Sequence, residues 1–427
     1  MSSRREEVAA QNQGKKVPPV GKSKPNVHDV RGRRFKIALA IALLIIIGGV
    51  IAWAVVSGPS LTGYFADMGK GERVFRPSGN ELASSKCMEK EPIQWTADRS
   101  TPIRRGAIFV SIPAYRDDEC KDTINEMYKR AKYPDRIYCG VVQQIKYQEE
   151  NCFDKCPDCA RRKASGHIRF IEYDFSEARG PCQARFQAST LWKGEEWYMQ
   201  IDSHTRFEDD WDQTMLDQLR LTKDPKAVMG GYPPTEHQMD QIKSGGFTQT
   251  TMMCDGGKFN SDGIPMLKAS IVSVKNRQKP VLIPFIGANM MTMPYTALFD
   301  APFDPYLSFL FFGEEILHSA RLWTNGYNFY SPAKPYASHH YTRDGKPKFW
   351  SDNRAYEGCR RKAVERCKYL LGFEKTDRKV HKDFKRDIHM YGMGSVRSLD
   401  DYWKFADIDP GAQRTGRHCD PNGYENR

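Results

Sequence analysis

The chain has 427 residues, 40% of them hydrophobic and 12% aromatic, with 33 glycines and 25 prolines. A chain of this composition can bury a real core and is neither disordered, collagen-like nor a simple repeat. Its formal charge of +12 is unevenly spread: residues 1–36 hold ten Lys/Arg and three Asp/Glu, which leaves only +5 on the other 391 residues. The basicity belongs to a tail, and no nucleic-acid-binding body is needed to explain it.

That tail is polar, broken by Pro-containing stretches, and is expected to be disordered. Ile37 to Val56 then runs for twenty residues without a charge, which as a helix spans roughly 30 Å, the thickness of a bilayer's hydrocarbon core. Arg31, Arg33, Arg34 and Lys36 precede it and mark the cytoplasmic side. A secretory signal peptide would have a shorter apolar region and an earlier start. The expected topology is therefore a short cytoplasmic tail (1–36), one transmembrane anchor (37–56) and a body beyond the membrane. All eleven cysteines lie in that body, where an oxidising lumen favours disulfides.

Residues 57–100, with SGPS and RPSGN, read as a stem. The first core signal is the apolar run Ala107–Ile112, typical of a strand buried on both faces. A helix-like stretch follows the acidic Asp117-Asp118-Glu119 and runs to about Lys132. Strands are predicted at 136–143, at 167–173, and at 196–201 ending on Asp202-Ser203-His204. Helices are predicted at 181–192 and about 208–222, and a further strand at 227–230. This alternation predicts a mostly parallel sheet flanked by helices in an α/β domain, with its ligand site outside the carboxyl ends of the strands. Residues 231–285 read as looser chain, and the polar stretch from about 375 is not assigned a place.

Several motifs carry chemistry. Asp202 and His204, two apart just past a strand, offer an oxygen and a nitrogen ligand to Mn2+ or a similar divalent cation, the alternative being a turn that caps the next helix. Cys152-x3-Cys156-x2-Cys159 has the spacing of a radical-enzyme iron–sulfur loop, but beyond the membrane disulfides are the stronger expectation. Arg179 and Arg185 flank a helix start, which suits fork-like contact with phosphates. Glu314 and Glu315 follow the apolar run Leu307–Phe312 and either face a cleft or cap the next helix. His339 and His340 could complete the metal site or sit on the surface.

In order along the chain, VSIPAYRDDECKDTI, EARGPCQAR, YMQIDSHTRF, GGYPP and DPYLSFLFFGEEILHSARLWTNGYNFYSP, ending near SHHYTR, resemble the hydroxyproline- and polypeptide-linked α-N-acetylglucosaminyltransferases, whose protozoan members are membrane-anchored. The resemblance covers about 107–345. It implies a GT-A fold over 101–375, with 376–427 as a C-terminal extension, and retaining transfer of N-acetylglucosamine from UDP-GlcNAc with Mn2+. It also implies that Asp202, His204 and His339 hold the metal. Tyr341 stands where a Trp of a His-x-Trp-x-Arg pattern is expected, which leaves His340 as a substitute ligand. By the same resemblance Pro113, Tyr115 and Arg116 lie by the uridine, and Arg185 on the nucleotide side. Glu314, through its likeness to a Gly-Glu-Asn block of mucin-type transferases, lies by the donor sugar, with Glu315 beside it. The expected setting is the Golgi membrane, single-pass type II with a lumenal catalytic domain. The expected acceptors are Ser/Thr-rich glycoproteins. Hydroxyproline as acceptor and a catalytically decayed carbohydrate-binding module are the alternatives.

Overall fold

The computed structural model describes residues 98–420, apart from 155, 246–248, 274–276, 354–356, 374–384 and 418. The expected tail, the span at 37–56 and nearly all of the expected stem lie outside the described residues. Among the described residues no helix is long and apolar enough to cross a membrane.

The apolar run at 107–112 sits inside strand β1 (Arg104–Tyr115). On one side of it Ile108, Val110, Ile112 and Ala114 enter one core; on the other Phe109 enters a second core. A strand covered on both faces has no solvent side, so its sequence does not alternate. In chain order come α1 (Cys120–Lys129), β2 (Ile137–Ile145), α2 (Cys159–Ala164), β3 (Ile168–Asp174), α3 (Pro181–Ser189) and β4 (Glu195–Ile201). Then follow β5 (Thr205–Phe207), α4 (Trp211–Leu221), β6 (Ala227–Gly230), α5 (Glu236–Lys243), β7 (Gln249–Phe259), β8 (Pro265–Ser273), β9 (Val281–Ile283) and β10 (Met290–Pro294). The chain continues through α6 (Glu314–Thr324), β11 (Asn328–Ser331), β12 (Ala337–His339), α7 (Glu357–Leu370), α8 (Leu399–Ala406), β13 (Ile408–Asp409) and β14 (Arg414–Thr415).

The main sheet has eight strands in the order β3-β2-β1-β4-β10-β6-β11-β9. Pairings among β3, β2, β1 and β4 and between β6 and β11 are parallel, whereas β10 runs against both β4 and β6. The sheet is thus mixed and mostly parallel, as the alternation predicts. The strand order reverses between β1 and β4, where connections leave in opposite directions and open a crevice at the carboxyl ends. Gly140 of β2 has no room for a side chain, because a Cβ there would stand 2.3 Å from Cζ of Phe109.

Residues 231–285 are more ordered than their sequence implies. Helix α5 opens on a reciprocal cap between Thr235 and Gln238, and β7 and β8 form a long antiparallel pair. Thr250 and Ser270 face inward alongside Met252 and Val272, and those buried hydroxyl residues blur the two-residue hydrophobic period. The polar C-terminal stretch also joins the domain. Tyr402 and Trp403 of α8 are buried, with the Tyr402 ring 5.5 Å from that of Trp323 in α6 and its hydroxyl donating to the Pro284 carbonyl at 3.1 Å.

The cysteine loop contains disulfides rather than a cluster: Cys120–Cys152 and Cys156–Cys159. Cys254–Cys419 closes a separation of 165 residues and pins the chain end to β7. Cys139, Cys182 and Cys367 stay as buried thiols. Because the third bridge restricts the unfolded chain over a long loop, Cys419→Ser is expected to lower stability by about 2–4 kcal/mol. Chemical denaturation at pH 7 checks this, and an unchanged midpoint would show that the C-terminus is held by its packing alone.

Candidate active site

The end of β4 delivers Asp202, whose backbone N–H donates to the Asn289 carbonyl at 3.1 Å. The next turn is clamped from α1: Thr123 donates its hydroxyl to the Ser203 carbonyl at 2.7 Å and receives the Thr205 N–H at 3.1 Å. His204 is thereby turned inward. His339 arrives from far along the chain because β12 pairs antiparallel with β5, with His339 opposite Thr205. The two imidazole centroids lie 4.7 Å apart, and His339 Nε2 is 3.2 Å from Asp202 Oδ2. One ligand atom from each of Asp202, His204 and His339 falls within 4.8 Å of the others.

Asp117 stands behind His204. Its Oδ2 accepts from His204 Nδ1 at 2.7 Å and from the Ser203 hydroxyl at 2.6 Å, while Arg343 lies 3.8 Å away. This pairing fixes the ring and leaves Nε2 as the free ligand atom, the usual way in which a carboxylate orients a metal-binding histidine. Burial pushes the Asp117 carboxyl up, but the contacts with His204, Arg343 and Ser203 outweigh it and hold the carboxyl below its ordinary range. The same balance operates at Asp202, where His339 and Arg185 overcome burial. Burial lowers the His204 imidazole, yet Asp117 and Asp202 leave it raised overall. A carboxylate oxygen and two imidazole nitrogens this close together are donors that suit a divalent cation such as Mn2+ or Zn2+.

Arg185, on α3, joins this cluster to the first turn of α6. It donates to Asp202 at 3.0 Å and to the Glu314 carboxylate. Burial pushes the Glu314 carboxyl up, with Arg185 opposing. Glu314 can begin the helix only because Gly313 precedes it: φ is +114°, and a Cβ would meet the Cys367 sulfur at 2.9 Å. Glu315 accepts from the Ala288 N–H at 2.8 Å and from the Tyr232 hydroxyl at 2.7 Å.

Two cavities flank Arg185. The larger, about 550 Å³, is lined by Pro113, Tyr115, Gly180, Asp202, His204, Arg343, Phe349 and Trp350 among others. It occupies the crevice between the carboxyl ends of β1 and β4. The smaller, about 270 Å³, is lined by Tyr232, Asn289, Glu314, Glu315 and His339, and shares Arg185, Phe311 and Tyr341 with the first.

Burial drives the Glu315 carboxyl up to about 7, against the hydrogen bonds it accepts. A raised value in the fold means that Glu315 contributes stability below the ordinary carboxyl value near 4.5 and loses it as pH rises through 7. The stability of the wild type relative to Glu315→Gln is therefore expected to fall between pH 5 and 8, by on the order of 1–3 kcal/mol. Paired denaturation curves across that interval test it; a pH-independent difference would mean that Glu315 is ionised throughout.

The fold brings together Pro113, Tyr115, Arg185, Asp202, His204, His339, Glu314 and Glu315 around these cavities. Three expected residues lie apart. Arg116 is turned to Glu149, just past β2, and, at 2.9 Å, to Asp352 from far along the chain, and lines neither cavity. Arg179 precedes α3 and also lines neither; its carbonyl accepts the Phe309 N–H at 2.6 Å. His340, just past the end of β12, is exposed and bonds Glu119 at 2.9 Å. Sequence reasoning missed Asp117, which it took as a helix-start charge, and Asn289. A carboxylate just beyond the first strand was the available signal for Asp117; nothing in the sequence marked Asn289.

A family model described as "Glycosyltransferase (GlcNAc)" matches residues 107–158 and 154–412. No curated protein matches the chain. Among solved structures the chain is similar to GalNAc-T7 with UDP, GalNAc and Mn2+, at a TM-score of 0.47 and 13% identity, over 72% of this chain and 57% of that one. The chain thus spans little more than half the length of that relative. It is also similar to the mannosyltransferase PcManGT from Pyrobaculum calidifontis in complex with GDP-Man and Mn2+, at a TM-score of 0.35 and 14% identity, over 70% of this chain and 72% of that one.

Proposed function

The chain belongs to the glycosyltransferase (GlcNAc) family, and from that premise we propose that it moves N-acetylglucosamine from UDP-GlcNAc to a Ser/Thr hydroxyl of secretory glycoproteins, retaining configuration at the sugar. The observation that carries this reading is the convergence of Asp202, His204 and His339 within 4.8 Å beside a cleft large enough for a nucleotide, which Asp202 and His204 line.

Asp202, His204 and His339 would hold the divalent cation, Mn2+ in this reading. Bound there it would neutralise charge on the departing nucleoside diphosphate. Asp117 keeps His204 in its working orientation. Arg185 lines both cavities, so its guanidinium can meet a phosphate oxygen on one side while gripping Glu314 on the other. Glu314 faces the smaller cavity, where its carboxylate can accept sugar hydroxyls and orient the donor and acceptor. Pro113 and Tyr115 form the wall toward the base. The disulfides suit an oxidising lumen, in keeping with a type II Golgi enzyme anchored by residues 37–56, with a GT-A catalytic domain over 101–375.

Assay of the full-length protein with a panel of UDP-sugars and with Thr-rich or hydroxyproline peptides, with and without Mn2+, tests this reading. Transfer of GlcNAc to the Thr-rich peptide in the presence of Mn2+ is expected. Hydroxyproline as the sole acceptor would correct the acceptor, and full activity in excess EDTA would remove the metal.

A further inference from the structure

The smaller cavity contains a buried acceptor that the protein itself leaves unused. Asn289 lines that cavity just before β10 and is 8% exposed, yet its Oδ1 is buried without a hydrogen-bond partner. Which end of the amide is free follows from its neighbour. The Tyr341 hydroxyl has one proton and donates it to the Pro233 carbonyl at 2.6 Å. Toward Asn289 its oxygen therefore accepts, from Nδ2 at 3.4 Å. The amide nitrogen is turned to Tyr341, and the carbonyl oxygen is the end left over. The backbone on either side is held as well: the Asn289 carbonyl receives the Asp202 N–H, and the Ala288 N–H goes to Glu315. A buried acceptor kept in one orientation and unpaired is unfavourable unless a ligand completes it.

The chemistry of the neighbours indicates which donor group that is. The Glu314 carboxylate, paired with Arg185, already offers an acceptor suited to hydroxyls. Asn289 adds a neutral amide oxygen, and Met266, Leu267 and Ile316 line the same cavity. An N–H beside a methyl group matches that combination. Resting on the donor reading above, we propose that Asn289 Oδ1 accepts the acetamido N–H of the donor sugar while Met266, Leu267 and Ile316 receive its methyl. Asn289 thereby favours a donor sugar whose C2 substituent carries an N–H over one with no hydrogen-bond donor at C2. Tyr341, the residue that departs from the expected Trp, orients the amide.

The test is kcat/KM for UDP release from UDP-GlcNAc and from UDP-2-deoxyglucose, which has no donor at C2, measured with the full-length protein and Mn2+. The wild type is expected to prefer UDP-GlcNAc by about 100-fold or more, as sites built around a substrate N–H do. Asn289→Leu is expected to lower UDP-GlcNAc turnover about 10- to 100-fold while changing UDP-2-deoxyglucose turnover less than about 3-fold, so the preference collapses. Tyr341→Phe should weaken the same preference to a lesser degree. Equal losses on both donors, or an unchanged preference, would overturn the Asn289 assignment and leave the donor reading intact. A wild type that releases UDP from neither donor would overturn both. If thermal melting shows Asn289→Leu unfolded, Asn289→Ser carries the same comparison.

Discussion

Alanine at Asp202 or at His204 is expected to reduce glycosyl transfer by on the order of 1000-fold, the scale of losing charge stabilisation on a leaving group, while the protein remains folded. The fold survives because what each side chain contributes is mostly polar convergence. Asp202 contacts Arg185 and His339 through its carboxylate, but its backbone stays anchored at Asn289. Asp117→Asn should fall between these variants and the wild type, with a loss of about 10- to 100-fold, because it only loosens the orientation of His204. Its added Mn2+ requirement separates it from a folding defect: excess Mn2+ should restore much of the Asp117→Asn activity and little of the Asp202→Ala activity. A folded Asp202→Ala protein with wild-type rates would remove the cation from the reaction.

Arg366→Met is expected to cost about 3–5 kcal/mol of stability, the largest single effect on folding that the structure implies. Arg366 donates to Asp304 at 2.8 Å, with side-chain exposures of only 1% and 0%. Removing the guanidinium strands a carboxylate where water cannot reach it. Replacing both partners, as Arg366→Met with Asp304→Leu, should recover much of the loss, since two apolar groups carry no unpaired charge. Denaturant titration of the two single variants and the double variant checks this as a mutant cycle. If the double variant is as unstable as the sum of the singles, the pair is not coupled and the loss is one of packing.

The parallel half of the sheet was legible along the chain because strands buried on both faces leave continuous apolar runs such as Ala107–Ile112. Asp202 and His204 were legible for a related reason: their spacing is local, so one turn after β4 suffices to aim both inward. The β7–β8 pair was not, because buried Thr250 and Ser270 break its period. Nor was the C-terminal helix, whose Tyr402 and Trp403 sit among charges that face solvent. Arg116 and His340 were read as site residues from position alone, and pairing with Glu149, Asp352 and Glu119 took them away.

By itself, the sequence determined the α/β class, the membrane-length apolar segment at 37–56 and two of the three residues of the candidate metal site. These depend on interactions within a few residues of each other, where periodicity and spacing carry the information. The choice of His339 over His340, the support of His204 by Asp117, and the free oxygen of Asn289 were decided only by tertiary structure. They depend on which residue of β12 lies opposite β5, on the packing of the loop after β1 against the turn after β4, and on which proton Tyr341 has already given to Pro233. Such facts arise from strand register and hydrogen-bond competition between residues far apart in the chain, and no local pattern encodes them.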